Sequence, residues 1–243
     1  MVPQEIVLTA SLKLTGKTRL EIREPSGLYF DESSGELWVV CDRKGSIYRL
    51  KEDGRPVETI ALKGGDLEGV TKAGKHFFIL KEEGVVLEYR PSDLKGGKKD
   101  GKLIRKHQVV LTSPFGKKKE RRFEGITYDH HTKTFYLLHE KKPRLLLQCN
   151  RQFREIRRTP IENVSDLSGI SYDSQRKGLW MISHESKRLF FVNLSDQSTT
   201  SVAELPVRQA EGVAVSGNTV YIVGDRDRTL FRFELPISEH KRL

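Results

Sequence analysis

Five times along the chain, a small or acidic residue and a glycine precede a short apolar run. The copies are Ser26-Gly27 in PSGLYF, Glu68-Gly69 in LEGV, Glu124-Gly125 in FEGITY, Ser168-Gly169 in LSGISY and Glu211-Gly212 in AEGVAV. The glycines stand 42, 56, 44 and 43 residues apart. A repeated unit of this size constrains the fold strongly, because each copy can bury its apolar faces only against its neighbours. After each motif come a turn and a second strand with an aromatic residue in second place: LWVVCD, FFILKE, FYLLHE, LWMISHE and VYIVGD. Third strands (SIYRL, VVLEYR, LLLQCN, LFFVNL, TLFRF) follow, and fourth strands such as VETIAL and TTSVAEL precede the next motif. Four strands per unit predict a propeller blade. Five motifs predict an all-β, five-bladed β-propeller with four antiparallel strands per blade, built as one domain over residues 1–243. The near-continuous apolar second strands agree, since a blade between two neighbours buries both faces.

The last unit ends after FRFELP without a fourth strand, whereas EIVLTASLKL and TRLEI ahead of the first motif are strand-like and otherwise unassigned. The N-terminal segment is therefore predicted to supply the outer strand of the last blade and close the ring, which also removes an exposed edge.

Closure gives the motifs a common address. The first strand of a blade lines the central channel and the second returns antiparallel, so the start of one and the end of the other share a face. The second strands end on Asp42, Glu82, Glu140, Glu185 and Asp225, 13 to 16 residues past the motif glycine. The inner ring adds Glu68, Glu124 and Glu211, with Ser26 and Ser168 in the other two blades. Eight carboxylates at one channel end repel one another and titrate as a coupled set. A hard divalent cation relieves that repulsion, and an oxygen-rich set suits Ca2+ rather than zinc. All eight are candidate metal-site residues, the inner three as direct ligands and the outer five as their supports. The plainer reading makes the inner acids polar residues of tight connections and the outer acids solvated loop charge. His139 and His184 adjoin the outer acids; each is a satisfied inter-blade histidine or a general base. His130 and His131 fall in a hairpin turn on the opposite face.

Composition narrows the remaining classes. Apolar residues make up 36% of 243 and charged residues 31%, enough for a core, and no stretch approaches the roughly 18 apolar residues that span a bilayer. Met1-Val-Pro-Gln-Glu lacks the features of a secretory signal. Cys41 and Cys149 have neither disulfide-framework nor metal-site spacing and read as small buried strand residues. There is no Gly-x-Ser-x-Gly elbow, phosphate-cradling loop or His-Glu-x-x-His. The net charge of +10 suggests nucleic acid, but residues 95–122 hold 11 Lys and Arg against Asp100 and Glu120, leaving 32 basic against 31 acidic residues elsewhere. Basicity thus belongs to an insertion around the fourth strand of blade two, which also accounts for the 56-residue interval. Its second half, SPFGKKKERR, leads into Glu124 and is expected near the acidic face. Without interleaved aromatics it is not expected to bind nucleic acid. The expected partner is a small anionic ligand or a protein, and the expected state a monomer.

The runs FEGITYDHHTKTFYLLHEKKP, DLSGISYDSQRKGLWMISHESKRLFFVNL and QAEGVAV with VYIVGDRDRTLFRF resemble the SdiA-regulated (YjiK-like) β-propeller family, over about Pro25 to Phe233. The resemblance implies a five-bladed propeller, a calcium site in its interior and a location at the bacterial envelope. It carries no established activity. The matched acids are Glu124, Glu211, Glu140 and Glu185. The basic insertion and the lack of a visible anchor depart from the family pattern. More distant likeness to calcium-dependent propeller lactonases and phytase-like esterases leaves a hydrolase as the alternative to a ligand-binding or interaction module.

Overall fold

The computed structural model describes residues 6–7, 12–62, 64–90, 102–113 and 122–235. Its elements are strands throughout, and among the described residues no helix is long and apolar enough to cross a membrane. The N-terminal segment contributes β1 (Ile6–Val7) and β2 (Lys13–Arg19). Blade one comprises β3 (Pro25–Asp31), β4 (Glu36–Cys41), β5 (Ser46–Lys51) and β6 (Pro56–Ala61). Blade two has β7 (Leu67–Ala73), β8 (His76–Lys81), β9 (Val85–Tyr89) and β10 (Leu103–Gln108). Blade three has β11 (Phe123–Asp129), β12 (Thr134–His139), β13 (Leu145–Cys149) and β14 (Glu155–Pro160). Blade four has β15 (Gly169–Asp173), β16 (Gly178–Ser183), β17 (Arg188–Asn193) and β18 (Thr199–Glu204). Blade five has β19 (Ala210–Ser216), β20 (Thr219–Gly224) and β21 (Thr229–Glu234). Its fourth strand is β2, paired antiparallel to β21 from Lys13↔Glu234 to Arg19↔Thr229, as the unassigned N-terminal run predicts. One pairing lies outside that prediction. β1 runs parallel to β18, Ile6 opposite Thr200 and Val7 opposite Ser201, and gives blade four a fifth strand.

Alternation along the second strands decides where the core sits. Trp38 and Val40 point into a cluster with Phe77 and Ile79 of blade two, while Leu37, Val39 and Cys41 join Tyr221 and Val223 of blade five. In blade three, Phe135 and Leu137 face blade two, and Tyr136 and Leu138 face blade four. A fifth cluster fills the seam between blades four and five. The core is thus five inter-blade layers, each fed by alternate residues of two sheets.

The motif glycines set how closely the first strands meet at the axis. A methyl group placed on Gly27 would lie 2.5 Å from the Gly69 Cα, and one on Gly69 would lie 2.9 Å from the Ile126 nitrogen. On Gly169 it would stand 2.8 Å from the Glu211 carbonyl oxygen, and on Gly212 it would strike the Ser26 carbonyl. Glycine inside a strand here marks close backbone approach. Of the basic insertion, 102–113 and Arg122 are described, including β10; KGGKK at 95–99 and the lysines of SPFGKKKERR lie outside the described residues.

Two outcomes follow. Removing residues 1–20 takes the outer strand from blade five and should lower the melting temperature sharply while keeping a single unfolding transition; unchanged melting by calorimetry would contradict closure by β2. Gly69→Val should destabilise by about 2–3 kcal/mol in denaturant titration, because the Ile126 nitrogen and its branched Cγ2 both occupy the space.

Candidate functional site

In blades two, three and five the ladder slips by one residue at the motif. Leu67 pairs with Lys81 and Gly69 with Leu80, which leaves Glu68 as the extra residue. Glu124 is skipped between Phe123↔His139 and Gly125↔Leu138, and Glu211 between Ala210↔Gly224 and Gly212↔Val223. Each motif glutamate is therefore a bulge residue, and bulges re-aim a side chain that regular pleating would direct into a neighbouring blade. All three line one well of about 360 Å3, together with Asp42, Glu82, Glu140 and Asp225 from the second-strand ends. Ser26 and Ser168 line it too. Glu185 does not: it is exposed on the rim, with Lys141 Nζ 2.6 Å from its Oε1. Seven of the eight carboxylates singled out in the sequence thus meet in one cavity.

A further set of residues escapes notice in the sequence. Two positions before each motif residue stand Glu24, Asp66, Arg122, Asp166 and Gln209. The second-strand acid of the same blade bonds back to them. The N–H groups of Asp42, Glu82, Glu140 and Asp225 donate to the carbonyls of Glu24 (3.2 Å), Asp66 (3.0 Å), Arg122 (2.8 Å) and Gln209 (2.9 Å). In blade four the Glu185 N–H donates instead to the Asp166 carboxylate, at 3.1 Å. The signal available was polarity at this offset in all five units, concealed by five different residues being four different types.

Charge on the rim is compensated unevenly. Arg122 lies 3.8 Å from Glu82 and 3.9 Å from Glu140, and Lys141 lies 2.9 Å from Glu140. Among the described residues no Lys or Arg pairs with Glu68, Glu124 or Glu211. The Ser26 hydroxyl donates to Glu68 Oε2 at 2.7 Å, and that of Ser168 to the Ala210 carbonyl at 2.7 Å, so the serines tie adjacent blades together. Burial, reinforced by Asp42 and Glu82, pushes the Glu68 carboxyl up to about 8 despite the serine. Burial likewise raises Glu211 to about 7, and it holds Glu124 well above the usual carboxylate range, with Glu68 and Glu140 adding to the shift. Asp42, Glu82 and Asp225 are raised by the same desolvation, and all three also by acidic neighbours.

The two histidines part company. His139 is fully buried, its Nδ1 2.7 Å from the Pro143 carbonyl and its ring edge-on to Phe123, and it does not line the well. His184 does line it. Its Nδ1 sits 2.7 Å from Oδ2 of the fully buried Asp166, which also accepts a hydrogen bond from Ser183. That carboxylate, helped by Glu211, raises the His184 pKa, so the ring carries positive charge further toward neutrality than a free imidazole. His130 and His131 are exposed at the opposite face. A larger cavity, about 730 Å3, opens between the outer strands of blades three and four, away from the acids, with Leu146, Phe190 and Leu194 in its wall.

Solved structures share the architecture. The chain superposes on the crystal structure of glutaminyl cyclase from Myxococcus xanthus with a TM-score of 0.71 at 13% identity, covering 96% of this chain and 98% of that one. For the PQQ-bound aldose sugar dehydrogenase from Streptomyces coelicolor the TM-score is 0.61 at 12% identity, covering 93% and 98%. For a chain of a nidogen/laminin complex it is 0.62 at 16%, covering 90% and 78%. These likenesses are of fold alone. The family model described as SdiA-regulated matches residues 10–234, and the chain belongs to the SdiA-regulated family.

Proposed function

We propose that the chain is a calcium-binding propeller acting as a ligand-binding or interaction module, with the ion held at the axial well. The observation that carries this reading is the convergence of Glu68, Glu124 and Glu211, on three bulges, with no Lys or Arg paired to them among the described residues and His184 as counter-charge to Glu211 alone. An uncompensated carboxylate cluster is met either by protonation or by a cation, and oxygen donors of this number suit a hard divalent ion. The donor set fits. Among the described residues no three acidic, His or Cys side chains stand close enough together to hold an ion, so binding would require the glutamates to draw closer. Asp42, Glu82, Glu140 and Asp225 would set the surrounding charge, and Ser26 would orient Glu68.

A calcium-dependent hydrolase of a lactone or phosphoester is the second reading, favoured by the Asp166–His184 pair at the wall of the well. A bound calcium ion would supply Lewis-acid polarisation of a substrate oxygen. Asp166 would fix the His184 ring, leaving its other nitrogen for proton transfer. The raised pKa of His184 weighs against a base poised at neutral pH and toward a counter-charge for Glu211, so the module is preferred.

Calorimetric titration of Ca2+ into chelator-treated protein tests the first reading. Binding at pH 6–7 should release protons, visible as a dependence of the heat on buffer ionisation enthalpy, because Glu68 and Glu211 must ionise first. Glu124→Gln should weaken binding about tenfold or more, equivalent to at least ~1.4 kcal/mol; no calcium binding by the parent protein would sink the proposal. A lactone and phosphoester panel separates the second reading, which requires turnover that His184→Gln abolishes.

The same carboxylates predict the metal-free stability profile. Their native pKa values lie above the unfolded ones, so the native state binds more protons and stability falls as pH rises from about 4.5 through 7 to 8. Melting temperature measured in chelator should drop across that window, and Glu68→Gln/Glu211→Gln should flatten the slope.

A further inference from the structure

Beside the axial well, a second cavity of about 420 Å3 opens between blades four and five. Lys187 reaches it from the β16–β17 loop, Arg208 from the β18–β19 connection and Arg226 from the β20–β21 loop, against one carboxylate among the described residues, Glu204. His184 and Gln209 line both cavities, so the two are separated by one wall. The floor is firm: Leu205 and Val207 are buried, and the Leu205 N–H donates to the Lys187 carbonyl at 2.8 Å, locking two of the three cation-bearing segments together.

These three cations differ from others on the same rim. Arg43, Arg122 and Lys141 are each paired with carboxylates. Lys187, Arg208 and Arg226 have no ion pair or side-chain hydrogen bond among the described residues, although Glu204 lines the same cavity. Like charges gathered from three loops repel until an anion joins them, and two guanidinium forks with an ammonium match an oxyanion's geometry. We propose that this inter-blade cavity is a binding subsite for a phosphate-like oxyanion. It does not require calcium in the neighbouring well.

The test is titration of inorganic phosphate into the full chain, followed by calorimetry and phosphorus NMR, first in chelator and then with Ca2+. Saturable binding in chelator is expected, weakened tenfold or more by Lys187→Gln/Arg208→Gln/Arg226→Gln. The charge-matched control Lys17→Gln/Arg105→Gln/Lys106→Gln, on exposed outer strands, should leave it unchanged. All six side chains are exposed, so both variants should fold; matched melting temperatures verify this. Acetate should compete more weakly than phosphate; tighter acetate binding would overturn the phosphate-like assignment. Absent phosphate binding, or an equal loss in the control, would overturn the subsite. Calcium binding without phosphate binding defeats the subsite alone, and phosphate binding without calcium binding defeats only the reading of the well.

Discussion

Backbone contact at the axis governs the rest of the structure. Gly27, Gly69, Gly125, Gly169 and Gly212 each abut the next first strand so closely that a Cβ would meet main chain or a core side chain. Such spacing is possible only because each first strand sheds a side chain where the ring is narrowest. Once the strands are this close, the residue just before each glycine has little lateral room. In four blades the ladder yields a bulge there, and in the three where the residue is a glutamate the freed side chain turns toward the well. Geometry of closure and chemistry of the site are therefore a single arrangement: the glycine permits the contact, and the bulge disposes of its neighbour.

The electrostatic character of the face follows from unequal access to counter-charge. Second-strand ends sit at loops, where Arg122 and Lys141 reach them across blade boundaries. The inner glutamates sit below those loops, beyond the reach of most long basic side chains, and proton uptake becomes their route to neutrality. His184 is the exception, a positive ring backed by a buried aspartate and facing Glu211. Basic residues are hence abundant at the rim, yet the middle of the face remains acidic in composition.

Much of this was legible before any coordinates. The repeated glycine fixed the number of blades, the alternating apolar pattern placed both faces of each sheet in cores, and a missing strand at one end matched a spare one at the other. What stayed hidden depends on pairing rather than residue type. A bulge is a relation between two strands, so Glu68 reads as an ordinary strand residue until its partner is known. Glu185 stands one residue further past its motif glycine than Glu140 does, so His184 takes the place of Glu140 in blade four, and Glu185 meets Lys141 in a contact between blades that no single unit encodes. β1 is too short to carry a periodic signal. Lys187, Arg208 and Arg226 lie on three loops whose meeting depends on the seam between blades four and five.

The main-chain bonds along the rim carry one more implication. The Asp42 N–H reaches the Glu24 carbonyl, Asp66 reaches Asp42, Glu82 reaches Asp66 and Phe123 reaches Glu82, so amides and carbonyls run unbroken from blade one into blade three. Between blades three and four the connection passes to a side-chain pair, Lys141 with Glu185. The mouth is thereby a hoop with a stiff arc and a clasp. Widening it would strain the clasp first, and the opening most able to adapt its aperture lies on the side where His184 stands.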